Sequence, residues 1–478
     1  MKTYLYDGPK SLQNAIMEDL MPAAENKRDI RLKCCTDIRM SVNGQECYVY
    51  ETNVNHSRKW EDNFFPLLAR TPVAYFDFEE KTDIKITFMG KFPHKMSIHP
   101  SGYNLIPVAD KEQKTISFSI QKPDTYTIML DDLPERAIHI FANAPEMTHP
   151  SPEDENILYY GAGEWNAGVI RVQSGQTVYL AGGAVVHGTI YAEHVENVTV
   201  MGRGILDGSL YEGWKAQSDA ARVPLQFDNC KNVAIKDILV LNSNAWVCQG
   251  FNTQDMQIEG LKIISCRPNG DGITLQSCKR VTVKHCFVRS WDDSLVVKNY
   301  LGNSEQIYFS DIQLWTDFAQ SMEIGYETNK GGMENSVIRD VRFNNICVLH
   351  NFHKPILSIH NADEALVENV VFQNIVVEDA RMGSGDGAVM PYLIDFVISG
   401  DLGWSTTKRR GNIRDIRVEN VKVLDGRFCG SRIAGFDDEH KVSQVLISNL
   451  EILGKTVTDA ETGKFEIDKK TTEQIYFQ

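Results

Sequence analysis

The sequence predicts an all-β protein in which an N-terminal β-sandwich precedes a parallel β-helix. Three observations lead there. Short apolar-x-apolar units recur through the second half at nearly constant spacing. The first third carries alternating strands at irregular spacing instead. Two carboxylate clusters, one repeat apart, each open a short apolar strand.

Residues 1–155 hold strands such as Ala74-Tyr75-Phe76-Asp77-Phe78, Ile84-Lys85-Ile86-Thr87-Phe88 and Thr115 to Ile120, separated by Gly, Pro, Asp and Lys turns. Alternation places one face of each strand inward, and the irregular spacing suits an antiparallel sandwich. The stretch from Pro150 to Glu155 reads as a linker. The coil is assigned to 156–455, with its first clear rungs from Val169 and Gly175 onward, and 456–478 reads as a polar tail.

Within the coil, Asn232-Val233-Ala234-Ile235, Met256-Gln257-Ile258, Val281-Thr282-Val283 and Ile307-Tyr308-Phe309 begin successive units. Val341, Val370, Ile416 and Val445 continue the series. The anchors Val233, Met256, Val281 and Ile307 lie 23, 25 and 26 residues apart. Each unit supplies two short strands with a tight bend, and a period of that size with so many strands predicts stacked rungs. Leucine-rich repeats share the period but need an L-x-x-L-x-L pattern that is absent here. Asn344, Asn345, Asn374 and Asn420 fall at bends and read as turn residues that satisfy backbone groups.

Stacking has a chemical consequence. Asn269-Gly270-Asp271-Gly272 precedes one strand and Trp291-Asp292-Asp293 precedes the next, with Asp292 21 positions after Asp271. Aligning apolar positions sets Asp271 over Asp293 and then Gln320; Asp292 stands one position earlier, matched by Asn244 in a preceding rung. Crowded carboxylates cannot all stay ionised without shifted pKa values, and acid/base hydrolysis of a glycoside is the natural reason for such crowding. Asp-Asp or Asn-Gly-Asp-Gly in isolation is an ordinary turn; their joint spacing and register carry the functional reading. Alternation sends Gln276, Lys298 and Glu323 outward into the groove, although a one-residue slip would reverse them.

Composition narrows the classes. A net charge of −15 disfavours nucleic acid and mildly disfavours polyanions. No apolar run is long enough to span a bilayer, so no membrane partner is expected. The first residues lack a secretory signal, which taken literally keeps the chain in the cytoplasm; a secreted or periplasmic chain with its signal removed would look the same. Ten cysteines form no CxxC or other metal signature, and those in the repeats (Cys230, Cys248, Cys266, Cys278, Cys286, Cys347) read as small buried hydrophobes. No cofactor or metal is expected.

The runs Gly182 to Gly188 and Asn197 to Gly208, followed by Asn269-Gly270-Asp271 and Asp292-Asp293, resemble the polygalacturonases of glycoside hydrolase family 28 over roughly residues 165–450. The carboxylate arrangement is also similar to the dextranase and isopullulanase family 49, which carries an N-terminal β-sandwich. The resemblance implies a right-handed parallel β-helix and inversion at the anomeric centre. It implies Asp292 as general acid, with Asp271 and Asp293 holding and deprotonating a water. Asn269, Asn244, Trp291, Lys298, Gln320, Glu323 and His360 are the candidate substrate-binding residues. Two departures stand out: Ala319-Gln320-Ser321 occupies the place of a Gly-His-Gly motif, and Ser358-Ile359-His360 that of Arg-Ile-Lys. Loss of the cations that bind a uronate carboxylate points to a neutral glycan.

Four readings stay open: an inverting hydrolase of a neutral oligo- or polysaccharide, a pectin hydrolase, a polysaccharide lyase or epimerase with Lys298 as base, and a non-catalytic glycan-binding coil. Insertions at Asn299–Glu305, Thr328–Glu334 and Asp379–Asn412 would wall off one end of the groove and favour exo action.

Overall fold

The computed structural model describes residues 2–9, 12, 31–60, 66–210, 223–381, 392–400, 405 and 407–478. Two sheets form the N-terminal sandwich. One joins Lys33–Cys34, Val49–Trp60, Pro66–Phe78, Leu133–Asn143, Asp124–Leu130 and Met96–His99 in that spatial order, with Thr3–Tyr4 added beside Pro66–Phe78. The other runs Gln45–Cys47, Ile38–Val42, Thr82–Phe88, Thr115–Ile120, Val108–Asp110. Thr82–Phe88 buries every second side chain, as its sequence alternation requires. The inner faces share a core that includes Phe76, Ile86, Ile116, Ile128 and Ile140. One pairing departs from the antiparallel expectation: Leu133–Asn143 runs parallel to Pro66–Phe78.

From Ile157 onward the strands join one 28-stranded sheet, wound as a parallel β-helix. A rung consists of three strands. Gln254–Glu259, Lys262–Ile264 and Ile273–Gln276 make one; Lys279–Lys284, Phe287–Ser290 and Leu295–Lys298 lie directly over them in parallel register. The anchors align as the spacing predicts, with Val233 on Met256, Met256 on Val281 and Val281 on Ile307. Inside, like residues stack on like. Phe309, Phe343 and Phe372 form a ring ladder with centroids 4.8 and 4.9 Å apart and nearly parallel planes. Among the described residues the one helical element is the short 3-10 turn Ser101–Tyr103, and no helix is long and apolar enough to cross a membrane.

The bends explain the asparagines. Asn345, Asn374, Asn420 and Asn449 all have φ between 50 and 56°, a left-handed conformation that Asn tolerates better than other branched or bulky residues. Their amides serve one another rather than the backbone: Asn449 donates to Asn420, Asn420 to Asn374 and Asn374 to Asn344, at 2.9, 3.0 and 2.8 Å. The cysteines are free and, apart from exposed Cys34 and half-buried Cys347, buried.

The coil starts at the boundary assigned from sequence, ahead of the first clear rungs, and runs past its expected C-terminal end. Ile157–Tyr160 already pairs with Thr177–Leu180; its Tyr159-Tyr160 pair hid the alternation. The segment expected as a polar tail instead adds strands: Phe465–Ile467 lies on Gly430–Ala434 and Thr472–Phe477 on Val442–Ile452. An end rung needs only one apolar face, so its composition looks polar.

The sandwich docks along the flank of the coil that leads into the acid-bearing bends. Val54, Val73, Tyr75, Ala137 and Phe141 pack on Val185, Leu239, Leu241, Ile264, Phe287, Trp315 and Leu349. Polar clamps border this patch. Arg203 donates twice to Asp77 at 2.9 and 3.0 Å and once to the carbonyl of Ala144 at 2.7 Å. Arg289 lies over the Trp315 ring at 4.2 Å and donates to His139 at 3.1 Å. Asp317 accepts from Asn55 and Trp315 at 3.0 and 2.9 Å.

Candidate active site

Asp271 ends the bend between Lys262–Ile264 and Ile273–Gln276, and Asp292-Asp293 occupies the next bend, before Leu295–Lys298. Because Ile273 pairs with Leu295 and Leu295 with Met322, Asp271, Asp293 and Gln320 share one register position. Gly272 is obligatory there, since a Cβ would stand 2.3 Å from the carbonyl oxygen of Ser294. Carboxylate oxygens of Asp271, Asp292 and Asp293 lie within 4.8 Å of one another. Asp271 and Asp293 are buried, whereas Asp292 is half-buried and faces the open side. Asp293 Oδ1 accepts from the Gln320 backbone N–H at 2.8 Å, and Asp292 Oδ1 from that of Asp293 at 3.0 Å. Asp271 Oδ1 is buried with no hydrogen-bond partner among the described residues.

Beneath these bends runs a chain of buried hydroxyls. Asn351 Nδ2 donates to Ser321 Oγ at 2.9 Å. Ser321 meets Thr316, Thr316 meets Ser294 and Ser294 meets Ser290 at 2.9, 2.8 and 2.7 Å. Ser290 Oγ donates to the Asp292 carbonyl at 2.7 Å.

Burial and mutual repulsion set the electrostatics. Desolvation, with the charge of Asp292, pushes Asp271 well above the carboxylate range. Desolvation, then Asp292 and Glu323, push Asp293 up to about 8. Asp292 is also raised by burial, but Lys354 and Lys298 oppose the rise. Groups this close titrate as a set, so the trio holds at least one proton at neutral pH. Burial pulls the Lys298 ammonium down, yet Glu327, Asp271 and Asp293 outweigh it and keep Lys298 charged. Its Nζ sits 3.0 Å from Glu327 and 4.7 Å from the Trp246 ring centroid. The trio is close enough to hold a divalent cation by distance alone; the positive fields of Lys298 and Lys354 already offset its charge.

The other expected substrate-binding residues divide. Gln320 lies at the cluster, and its amide donates to Tyr326 Oη at 3.2 Å. Asn269 is half-buried at φ 57°, a turn position suited to Asn. Asn244 is shifted. Since Cys248 pairs with Ile273 and Ile273 with Leu295, counting back three places Ala245, not Asn244, at the position of Asp292. The longer bend before Cys248 misled the apolar alignment, and Asn244 Oδ1 is buried without a partner among the described residues. Trp291 is only 3% exposed and stacks on Phe318 at 4.6 Å, so it shields the bend rather than offering a face to sugar. Glu323 and His360 point outward as alternation requires but are spent on each other. His360 Nδ1 bonds Glu323 at 2.9 Å, its Nε2 bonds Asp395 at 3.0 Å, and Ser358 donates to Glu323. Arg432 closes the set on Asp395 at 2.9 and 2.8 Å. Desolvation works against the His360 imidazolium, but Glu323 and Asp395 prevail and hold it up to about 9.

Sequence reading missed Trp246, Tyr326, Glu327, Lys354, Asp395 and Arg432. Glu327, Lys354 and Asp395 sit in insertions or late rungs without motif context. Only the repeat register, carried two rungs further, would have flagged Asp395 and Arg432, which stack on Ser358. Of the insertions, Asn299–Glu305 and Thr328–Glu334 lock together through their backbones, the Lys330 and Gly331 N–H groups donating to the Asn299 and Tyr300 carbonyls at 3.2 and 3.0 Å. Asp379–Asn412 lies in part outside the described residues.

A β-sandwich joined to a parallel β-helix, with a carboxylate trio on adjacent rungs, defines a narrow class of proteins. Residues 171–386 match glycosyl hydrolases family 28. The chain is 23% identical over 196 residues to a probable polygalacturonase of Arabidopsis thaliana, covering 39% of this chain and 43% of that one. It is 28% identical over 111 residues to a polygalacturonase of Chamaecyparis obtusa, covering 20% and 22%. The chain thus spans less than half the length of these relatives. In structure it is similar to Dex49A from Penicillium minioluteum, with a TM-score of 0.60 at 15% identity over 94% of this chain and 95% of that one. The chain therefore resembles the β-helix glycosidase group of families 28 and 49, in fold across both modules and in sequence across the middle of the coil.

Proposed function

We propose that the protein is an inverting glycoside hydrolase acting on an O-glycosidic bond of a neutral oligo- or polysaccharide. The observation that carries this reading is the trio itself, with Asp292 at the open side above two buried acids. Asp292, raised by burial against the opposing charges of Lys354 and Lys298, carries the trio's proton and donates it to the leaving oxygen. With the shared proton of the trio on Asp292, Asp271 and Asp293 hold and deprotonate the water; Asp271 Oδ1, a buried acceptor with no donor among the described residues, suits that task.

The trio is tighter than the ~6.5–9.5 Å separation usual for two-carboxylate inverting sites. Inversion is still preferred, because the resemblance to family 28 implies it. The neutral-glycan assignment rests on charge pairing: Lys298 is neutralised by Glu327, Arg432 by Asp395, and His360 lies between two carboxylates. Where the resemblance expects Arg and Lys stand Ser358 and the His360 imidazolium, whose charge Glu323 and Asp395 already match. Locking of the two described insertions at one edge of the groove supports exo action. A lyase is disfavoured, since Lys298, its candidate base, is ion-paired and held charged.

The test is reducing-sugar release from neutral α-glucans, galactans and oligogalacturonides by wild type and Asp292→Asn. Cleavage of a neutral glycan, reduced about 10²–10⁴-fold in the variant, is expected. The first-formed anomer, followed by NMR before mutarotation, should be inverted. Preferential cleavage of galacturonides would overturn the substrate assignment, and an unsaturated product the reaction class.

A further inference from the structure

Lys354 is a half-buried cation that the functional reading leaves without a task. It sits in the bend between Val337–Asn351 and Leu357–Asn361, two rungs beyond the acid pair. Its Nζ lies 4.7 Å from the centroid of Phe318, whose ring also stacks on Trp291, the residue immediately before Asp292. Among the described residues no carboxylate lies within ion-pair distance of it. The other cation that acts on Asp292 has such a partner: Lys298 has Glu327. An ammonium that is half removed from water without an anionic partner recovers only part of its desolvation cost from an aromatic ring. Its charge also acts on the carboxylates one aromatic ring away, opposing the rise of Asp292 and Asp293.

Taking Asp292 as the general acid, we infer that Lys354 is a positioning residue that supplies the counter-charge of the acid trio, stabilising Asp292 as a carboxylate once its proton has left. The arrangement around Asp292 supports this from each side. Asp271 faces it from the preceding rung and Asp293 from its own bend, and the charge of Asp292 raises both. Lys298 and Glu327 face it as a nearly neutral pair from the outer strands, and Glu323 acts on Asp293 from the following rung. Of the two opposing cations, Lys354 outweighs the already paired Lys298 at Asp292. His353, its neighbour, is pushed down to about 4 by burial, Lys354 and His350, and so stays neutral and adds nothing. Proton donation leaves one more negative charge in a crowded, low-dielectric pocket, and a fixed cation lowers that barrier without taking the proton.

The experiment compares wild type, Lys354→Met and Lys354→Arg by two readouts. First, the aspartate carboxyl carbons are titrated by ¹³C NMR in selectively labelled protein, with Asp292 assigned through Asp292→Asn. This requires no substrate, so it stands even if the hydrolase reading fails. Loss of the charge should raise the Asp292 titration by about one pH unit, while Lys354→Arg should leave it near wild type. Second, for a glycan that is cleaved, the pH profile of kcat should move upward by the same amount in Lys354→Met and stay in place in Lys354→Arg. A lower kcat with an unmoved profile and unmoved Asp292 titration would overturn the proposal and leave Lys354 a packing residue. So would a selective loss of uronate cleavage with Asp292 unmoved, which would make Lys354 a substrate-carboxylate anchor.

Discussion

Raising the pH through the titration of His360 should strip stability from the coil in a definable window. The imidazole is completely buried and bonded at both nitrogens to carboxylates, and its folded value stands at about 9 against an ordinary 6.5. A group whose folded pKa is raised contributes stability that is fully present below the unfolded value and is lost as pH climbs through the folded one. A difference of about 2.5 units, at 1.36 kcal/mol each, corresponds to about 3 kcal/mol, nearly all of it gone by pH ~9.5. Other groups titrate over the same range, Asp293 among them, so the informative quantity is a difference between proteins. Urea unfolding of wild type and His360→Gln at pH 6.5 and 9.5 supplies it, with midpoints compared at matched slopes. Wild type should lose about 3 kcal/mol more than the variant across that interval. Equal losses would refute the reasoning: His360 would then be neutral in the fold, and the Glu323–His360–Asp395–Arg432 set would not be ionic.

Two further outcomes follow from the coil. Phe343→Ala removes the middle ring of a stack fully enclosed by Phe309 and Phe372 and should cost about 3–5 kcal/mol by thermal or urea unfolding, with Phe343→Leu costing much less. At Asn420, where φ is 56°, Val should cost about 1–2 kcal/mol through backbone strain while Gly costs little, because the Asn ladder it breaks is exposed to water; midpoint shifts in the same assay distinguish them.

The coil was legible because each rung repeats one local instruction. Val233, Met256, Val281 and Ile307 are apolar for the same reason and stack for the same reason, so spacing alone yields register. The trio was legible for a related reason: Asp271 and Asp293 each precede a paired strand by two residues, and period converts sequence distance into contact. Asn244 failed where that conversion fails, in a bend of different length, which put Ala245 at the place expected for it. Glu323 and His360 were placed on the correct face, but facing does not reveal that two distant carboxylates and Arg432 will consume their bonding capacity. That depends on Asp395, one rung beyond His360. Lys354 carries no pattern at all; its meaning lies in the ring it covers and the charge it lacks.

The hydroxyl chain under the acids has a consequence that distances alone do not state. Each hydroxyl owns a single hydrogen. Ser290 spends its own on the Asp292 carbonyl, so Ser294 must donate to Ser290, Thr316 to Ser294 and Ser321 to Thr316; the Asn351 amide, which can only donate, closes the far end. Every link therefore runs one way, and each polarises the next in the same sense. Three successive bends are wired in series, and reversing any single member strands a hydrogen at one end and a lone pair at the other. The backbone that carries Asp292 is held by a line with a direction, anchored two rungs away from the bond it is proposed to break.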